Sequence, residues 1–323
     1  MTLLDVKNLR TYFKTSKGLY KAVDDASFNL DHGEALGLVG ESGCGKTTSA
    51  LSIVRLLPKE GKIFGGQILF EGTDLVTLSD EEIRNRRWKD ISIIFQGSMN
   101  ALNPVMKVGD QIAEAIVLHE NISKKAALAR AGELFELVEM PVDRINNYPH
   151  EFSGGMKQRA MIAIALACRP KLVIGDEPTT ALDVMVQAQI LNLLEKLRKE
   201  LNMGLILITH DLSILAETCD RIAVMYAGKI VEFGPVEAVF ENTAHPYTER
   251  LIACFPHIGK EKIIPPSIEG IPPNLLEPIR GCPFYPRCHM AIPLCAEQEP
   301  EMIKVGEKHF ASCLRIGEAY YDQ

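Results

Sequence analysis

The 323-residue sequence predicts an α/β fold, with a parallel-sheet core, a helical insertion inside it and an irregular tail after it. Three observations predict this. The apolar run Ala35-Leu36-Gly37-Leu38-Val39 ends at Gly40, and a helical pattern starts just beyond it. Runs of the same kind recur at Lys171–Gly175, Leu205–Thr209 and Arg221–Val231. Between the two sets, residues 80–140 show two helical patterns and no strand run.

Taken in order, residues 1–35 read as short strands and turns, at Leu3–Leu9, Lys21–Val23 and Ala26–Leu30. Ala35–Val39, apolar throughout, is a buried strand. Thr47–Leu57 carries apolar residues at helical spacing and stops before Pro58. In the insertion, helices are expected at about Gly109–His119 and Lys124–Met140. Ser123 caps the second, and Pro141 ends it. A helix follows Asp183, with Val186, Ile190, Leu193, Leu194, Leu197 and Leu201 on one face. Arg221–Val231 is a hairpin turning at Ala227-Gly228. From Phe255 to Pro286 proline recurs and the chain is irregular.

Composition narrows the function classes. A hydrophobic fraction of 46% is ordinary for a globular chain. With 35 Lys+Arg against 42 Asp+Glu, the net charge of −7 argues against a nucleic-acid partner. No apolar run approaches the roughly 18 residues that cross a bilayer. Met1-Thr2-Leu3-Leu4-Asp5-Val6 has no secretory pattern, so a soluble cytoplasmic chain is expected. Cys44, Cys168, Cys219 and Cys254 are scattered, whereas Cys282, Cys288, Cys295 and Cys313 crowd the tail. In a reducing compartment clustered thiols are more often metal ligands than disulfides.

The chemistry begins at Gly40-Glu41-Ser42-Gly43-Cys44-Gly45-Lys46-Thr47, a G-x-x-x-x-G-K-[ST] loop with a strand before it and a helix after. Its glycines let backbone amides and a helix N-terminus converge on phosphates. Lys46 adds a point charge for the β- and γ-phosphates, and Thr47 a hydroxyl for Mg²⁺. Cys44 reads as a small residue that fits, or as an exposed thiolate open to oxidation. Lys171–Gly175 leads into Asp176-Glu177. There Asp176 can hold Mg²⁺ through water, and Glu177 can polarise a water in line with the γ-phosphate. His210 follows the apolar run ending at Thr209, where a histidine can contact γ-phosphate and water or simply close a strand. Ser153 caps a helix whose first residues are Gly154 and Gly155, a second anion-binding terminus. One site has no need of two such cradles; two chains set head to tail do.

The set Gly40–Thr47, Gln96, Ser153-Gly154-Gly155, Asp176-Glu177, Ala181-Leu182-Asp183 and His210, in this order over roughly residues 1–250, resembles an ATP-binding-cassette (ABC) ATPase. The resemblance implies a P-loop, RecA-like core with an antiparallel β subdomain, a helical subdomain at about 88–160 and a cysteine-containing extension over 251–323. It implies ATP and Mg²⁺, with Gly40, Ser42, Gly43, Cys44, Gly45, Lys46, Thr47 and Thr48 around the phosphates. Phe13 would stack on adenine, with Tyr12 and Tyr20 as alternates. Thr47, Gln96 and Asp176 would surround Mg²⁺, and Glu177, Gln96 and His210 would be catalytic. Ser153, Gly154, Gly155 and Asp183 would act across a dimer. Two motifs depart from the family pattern: Phe152 and Met156 flank the Ser-Gly-Gly core in place of Leu and Gln, and Gly97-Ser98 replaces an acidic residue and proline.

Phe152–Met156, Ala163–Pro170, Pro178–Asp183, His245-Pro246-Tyr247-Thr248 and Gly281–Cys288 resemble one branch, the ATP-binding subunits of bacterial dipeptide and oligopeptide importers. Thr179-Thr180-Ala181-Leu182-Asp183 is similar to the D-type subunit. The likeness implies a heterodimer with a second ATPase, two membrane permeases docked near Gln96–Met106, and an extracytoplasmic peptide-binding protein. It places the chain peripherally on the cytoplasmic face of the cell membrane. Nickel complexes and glycosides are alternative cargoes. Soluble cassette ATPases usually carry two fused cassettes or a long coiled-coil insertion, neither of which is visible in this sequence, and a P-loop kinase or GTPase leaves Ser153-Gly154-Gly155 and His210 unexplained.

Cys282, Cys288, Cys295 and Cys313 are spaced C-x5-C-x6-C-x17-C, without the C-x2-C knuckles usual for zinc. Four thiolates in a proline-stiffened segment suit a [4Fe–4S] cluster, which some relatives in this branch carry. Zinc with His289 and His309 as spare ligands, or four unliganded cysteines, are the alternatives, and a redox-regulatory tail remains open.

Overall fold

The computed structural model describes residues 1–97, 101–180, 182–254 and 267–316. Its strands are β1 (Thr2–Thr15), β2 (Gly18–Asp31), β3 (Ala35–Val39), β4 (Gly61–Phe70), β5 (Thr73–Asp74), β6 (Ile91–Ile94), β7 (Leu172–Asp176), β8 (Gly204–Ile208), β9 (Arg221–Tyr226), β10 (Lys229–Pro235), β11 (Ile303–Gly306) and β12 (His309–Ala311). Its helices are α1 (Lys46–Ile53), α2 (Asp80–Arg86), α3 (Val108–Glu120), α4 (Lys124–Leu137), α5 (Gly154–Ala165), α6 (Val184–Leu201), α7 (Leu212–Thr218), α8 (Val236–Glu241) and α9 (Pro246–Ala253). Two units divide the chain. The first comprises Met1–Leu3, Leu30–Ala35 and Thr77–Ile208; the second comprises Leu4–Asn29, Leu36–Val76 and Thr209–Gln323.

In the first unit β6, β7 and β8 pair in parallel, with Ile91 opposite Leu172 and Leu172 opposite Gly204. Every residue of β7 and β8 is buried, as a parallel strand covered on both faces requires. The insertion is a helical cluster of α3, α4 and α5 around Ile112, Ile116, Ala131 and Phe135, with Phe135 meeting Phe152 edge to face at 6.5 Å. Ser123 caps α4 by accepting the Ala126 amide, as its sequence position indicates. Asp183 caps α6, whose buried stripe is Ile190, Leu191, Leu193, Leu194 and Leu197; Leu201, expected on that stripe, is exposed in the last turn, next to the left-handed Asn202 cap.

In the second unit β3 pairs in parallel with β9, and β9 turns at Ala227-Gly228 into antiparallel β10. A separate sheet has the order β2-β1-β4-β5, with β1 antiparallel to β4 from Leu4↔Phe70 to Phe13↔Gly61. The tail is less irregular than expected, because β12 pairs with β10 and β11 with β12. Among the described residues no helix is long and apolar enough to cross a membrane.

Other expectations shift. Residues 80–140 do contain a strand, β6, and a helix, α2. The strand has only four residues, too few for a period to show, and its parallel partner decides it. The capping box between Ser79 and Glu82 announces α2. Strands β1 and β2 run far longer than their apolar cores suggest, since each is half-exposed and polar on one face. Helix α1 ends at Ile53, before Leu57. Residues 255–266 of the proline-rich stretch lie outside the described residues.

Candidate functional site

Strand β3 delivers the chain to the phosphate loop in the second unit. Gly40 and Gly45 are irreplaceable there: both have positive φ (151° and 113°), and a Cβ would overlap the Met225 carbonyl at the first and the Ala22 carbonyl at the second. Gly45 starts α1 without a side-chain cap. A glycine at that cap brings no side chain between the helix N-terminus and a phosphate. Lys46 is 8% exposed, and its ammonium donates to the carbonyls of Gly40 (2.6 Å) and Glu41 (3.1 Å). Ser42, Gly43 and Thr47 are exposed, and Thr48 is half-buried. Cys44 is buried, and burial pushes its thiol pKa up against the opposing Lys46 charge. The exposed, oxidisable thiolate considered from sequence is thus excluded, because the reactive anion is the form that burial disfavours.

Three aromatics compete for a nucleobase. Tyr12 is committed elsewhere: its hydroxyl bonds Asp24, its ring stacks on Phe64 at 5.0 Å, and burial with Asp24 pushes its pKa up to about 12. Phe13 is half-exposed, and its ring lies where a Cβ on Gly61 would stand 2.7 Å away. Tyr20 is also half-exposed. His210 stands exposed, between Thr209, whose hydroxyl accepts the Asp211 amide at 3.1 Å, and Asp211, which caps α7.

In the first unit β7 ends at Asp176, 2% exposed, and the chain then turns through Glu177 at a positive φ of 49°. That left-handed turn is costly for a non-glycine residue. It is held by the Glu177 amide donating to the Ile208 carbonyl at 2.9 Å. The Glu177 carboxylate accepts from Gln96 Nε2 at 2.7 Å and from the Thr180 hydroxyl at 3.0 Å. Register makes this possible. Ile94 pairs with Gly175, so Gln96 and Glu177 each lie two residues past the same rung of the ladder. Thr180 was not foreseen as a partner; it follows Glu177 by one tight turn, closed by the Thr180 amide on the Glu177 carbonyl.

Ser153 caps α5 through the Met156 amide, and Ser153 and Gly154 are exposed. Gly155 has a second task. A Cβ there would lie 2.7 Å from Val186 Cγ1, so its absence lets α5 meet the start of α6. Val184 and Met185 beside Asp183 are 81% and 74% exposed. Ala181, between Thr180 and Leu182, lies outside the described residues. A groove of about 460 Å³ beside α3 is lined by Val105, Met106, Lys107, Asp110, Glu114 and Val117 among others. It takes in part of Gln96–Met106, the segment that the family resemblance offers for permease docking, whose residues 98–100, with Ser98, are also outside the described residues.

The four tail cysteines are unpaired with one another, and all lie in the second unit. Burial pushes the Cys282 thiol up to about 11, with further upward pressure from Cys295, Cys313 and Cys288. Cys288 and Cys313 are raised by burial in the same way. The Cys282 amide donates to the Cys295 carbonyl at 2.8 Å. The four thiols therefore share one neighbourhood. Among the described residues no three His, Cys, Asp or Glu stand close enough to hold a single metal ion. Neither histidine offered for zinc is directed to it: His309 Nε2 is 2.8 Å from buried Glu232, and His289 lies between Arg250 and Glu249.

Comparison with known proteins places these features. The sequence matches the family described as ABC transporter over residues 23–180, and the oligopeptide/dipeptide transporter C-terminal region over 231–295. It is 51% identical over 314 residues to the oligopeptide transport ATP-binding protein OppD of Bacillus subtilis (strain 168), covering 95% of this chain and 87% of that protein. It is 48% identical to OppD of Escherichia coli (strain K12), covering 92% and 89%. With the dipeptide transport ATP-binding protein DppD of Bacillus subtilis it shares 45%, covering 96% and 94%. Among solved structures it is similar to the dimeric bacterial ABC transporter cassette MJ0796. The TM-score is 0.65 and the identity 27%, covering 72% of this chain and 98% of that one. The same cassette bound to ADP and Pi, a post-hydrolysis dimer, gives a TM-score of 0.64.

Proposed function

The chain belongs to the ABC transporter family of ATP-binding proteins, and from that premise we propose that it is the ATP-hydrolysing subunit of an importer of dipeptides and oligopeptides. The observation that carries the cargo reading is the joint match of cassette and tail, since relatives named for oligopeptide and dipeptide transport align along nearly the whole chain.

Several of its residues have defined tasks in hydrolysis. The loop Gly40–Thr48 and Lys46 take the phosphates, while Phe13, whose neighbour Tyr12 is spent on Asp24 and Phe64, takes the base. The hydroxyl of Thr47, the carboxylate of Asp176 and the amide oxygen of Gln96 are the hard oxygen donors that Mg²⁺ requires. Bound by these groups, Mg²⁺ would supply charge neutralisation to the transferring phosphoryl group. Glu177 receives the proton of the attacking water as general base, and the 2.7 Å bond from Gln96 fixes its orientation. His210 attends the γ-phosphate. Because the Gln96–Glu177 bond joins the base to the segment leading into the insertion, a change at one is felt at the other.

Ser153, Gly154, Gly155 and Asp183 face a second, homologous ATPase, so that two ATP molecules lie between two non-identical chains. The exposed apolar pair Val184 and Met185 beside them supports that reading. The groove bounded by Val105, Met106 and Val117 takes the cytoplasmic helices of two permeases, and the chain sits peripherally at the membrane beneath them. A peptide-binding protein feeds the permeases from outside.

For the tail we infer a [4Fe–4S] cluster on Cys282, Cys288, Cys295 and Cys313. Four thiols in one neighbourhood, at spacings without the C-x2-C knuckles usual for zinc, support that reading. Such a cluster supplies a covalent staple to a segment poor in core. Iron and acid-labile sulfide at about four each per chain after anaerobic purification is the expected result; stoichiometric zinc, or no metal, overturns it.

The test of function is reconstitution of the chain with its permeases and second ATPase in vesicles. Peptide with its binding protein should raise ATP turnover and be taken up. Stimulation by a nickel complex or a glycoside in place of peptide reassigns the cargo.

A further inference from the structure

Residue 41 is the first variable position of the phosphate loop, and it is held from outside on main chain and side chain alike. The Glu41 amide donates to the Tyr247 hydroxyl at 2.8 Å. Its carboxylate accepts a two-pronged bond from Arg287, Nη1 to Oε2 at 2.6 Å and Nη2 to Oε1 at 2.9 Å. This is not a solvated surface pair, since the Arg287 side chain is 3% exposed. Its remaining donors are also used, Nε on the Glu269 carbonyl at 2.9 Å, Nη2 on the Ile268 carbonyl at 3.2 Å and Nη1 on the Tyr226 hydroxyl at 3.2 Å. The guanidinium lies over Tyr226 and Phe284 at 5.8 and 6.0 Å, and those rings pack on Tyr247 at 4.6 and 5.4 Å.

Arg287 belongs to the tail, in the short turn Tyr285–Arg287 immediately before Cys288. On the inner side of the same loop residue, the Glu41 carbonyl accepts from the Lys46 ammonium at 3.1 Å and from the Cys44 amide at 3.2 Å. A continuous line of contacts therefore runs from the tail through Glu41 to the lysine that meets phosphate.

We propose that Arg287 is a positioning residue for ATP binding: through Glu41 it sets the conformation of the phosphate loop, so that affinity for ATP depends on the docked tail. Two physical effects act together. The fork fixes the loop at a residue whose carbonyl orients Lys46, removing conformational freedom that binding must otherwise remove. It also neutralises a carboxylate carried by the very loop that receives the most highly charged part of the ligand.

The test is titration of the full chain with a fluorescent ATP analogue and Mg²⁺, alongside thermal unfolding without nucleotide. Arg287→Gln should raise the ATP Kd about tenfold, and Arg287→Lys, which keeps the charge but not the fork, should fall between it and the parent. Adding Glu41→Gln to Arg287→Gln should weaken binding no further, because both act through one contact. An Arg287→Gln chain that melts lower but binds ATP within about twofold of the parent makes the pair a stability element only and overturns the proposal. So does a double variant whose losses multiply. If Arg287→Gln does not fold, Arg287→Lys decides by the same criterion. Binding by the parent chain in the same titration separates failure of this inference from failure of the nucleotide site.

Discussion

Adding one carbon at Gly155 tests why the second glycine of Ser153-Gly154-Gly155 is there. In Gly155→Ala the new Cβ lies 2.7 Å from Val186 Cγ1, against an optimal carbon–carbon separation of about 3.5–4.0 Å. Val186 is β-branched on a helix, with essentially one rotamer, so it cannot swing aside. Overpacking of this kind costs about 1–3 kcal/mol, and replacing glycine by alanine in a helix returns up to about 1 kcal/mol. The net expectation is a loss of about 0–3 kcal/mol, a fall in melting temperature of several degrees for a chain this size. Thermal unfolding by circular dichroism measures it. Gly155→Ala/Val186→Ala removes the opposing methyl groups, so stability and ATP hydrolysis should both return. A single variant that melts like the parent but hydrolyses poorly refutes the packing argument, as does a double variant that stays inactive. Either result would place the need for glycine at the phosphate itself.

Glu177→Gln should keep ATP binding, lose about 10²–10⁴-fold in hydrolysis and accumulate an ATP-bound dimer on gel filtration; normal turnover removes Glu177 as the base. Ser153→Arg should abolish hydrolysis at the partner's site while leaving ATP binding to its own chain intact, and loss of its own binding contradicts the cross-dimer assignment. Stability should fall on acidification. Buried His245 is pushed down to about 4 by burial, opposed by Glu232, so below the ordinary histidine value of about 6.5 the unfolded chain takes a proton that the folded chain refuses. The penalty grows as pH falls from about 6.5 to 4, reaching roughly 3 kcal/mol, and is absent above that window. His245 Nδ1 accepts the Tyr247 amide at 3.0 Å. His245→Asn keeps an acceptor at that helix cap without the titration and should flatten this part of the profile; an unchanged profile assigns the acid loss elsewhere.

Much of the candidate site was legible because its chemistry is local. A loop that must bend through Gly40 and Gly45, a serine cap at Ser153 and adjacent carboxylates at Asp176 and Glu177 are short-range requirements written in consecutive residues. Gln96 could be located as a residue but not explained. Its bond to Glu177 depends on β6 pairing with β7 in one register, and β6 has four residues with no readable period. The same limit hid the tail strand β12 on β10, and it left Tyr12 standing as an alternate to Phe13 until Asp24 and Phe64 were seen to occupy Tyr12.

By itself, then, the sequence determined the backbone conformations and functional groups that a phosphate site needs, since those are set within a few bonds of each residue. Tertiary structure alone decided which distant groups meet: Gln96 with Glu177, Gly155 with Val186, and Arg287 with Glu41 across 246 positions. Such contacts are selected by strand register and burial, which sum over many residues and leave no mark at either partner.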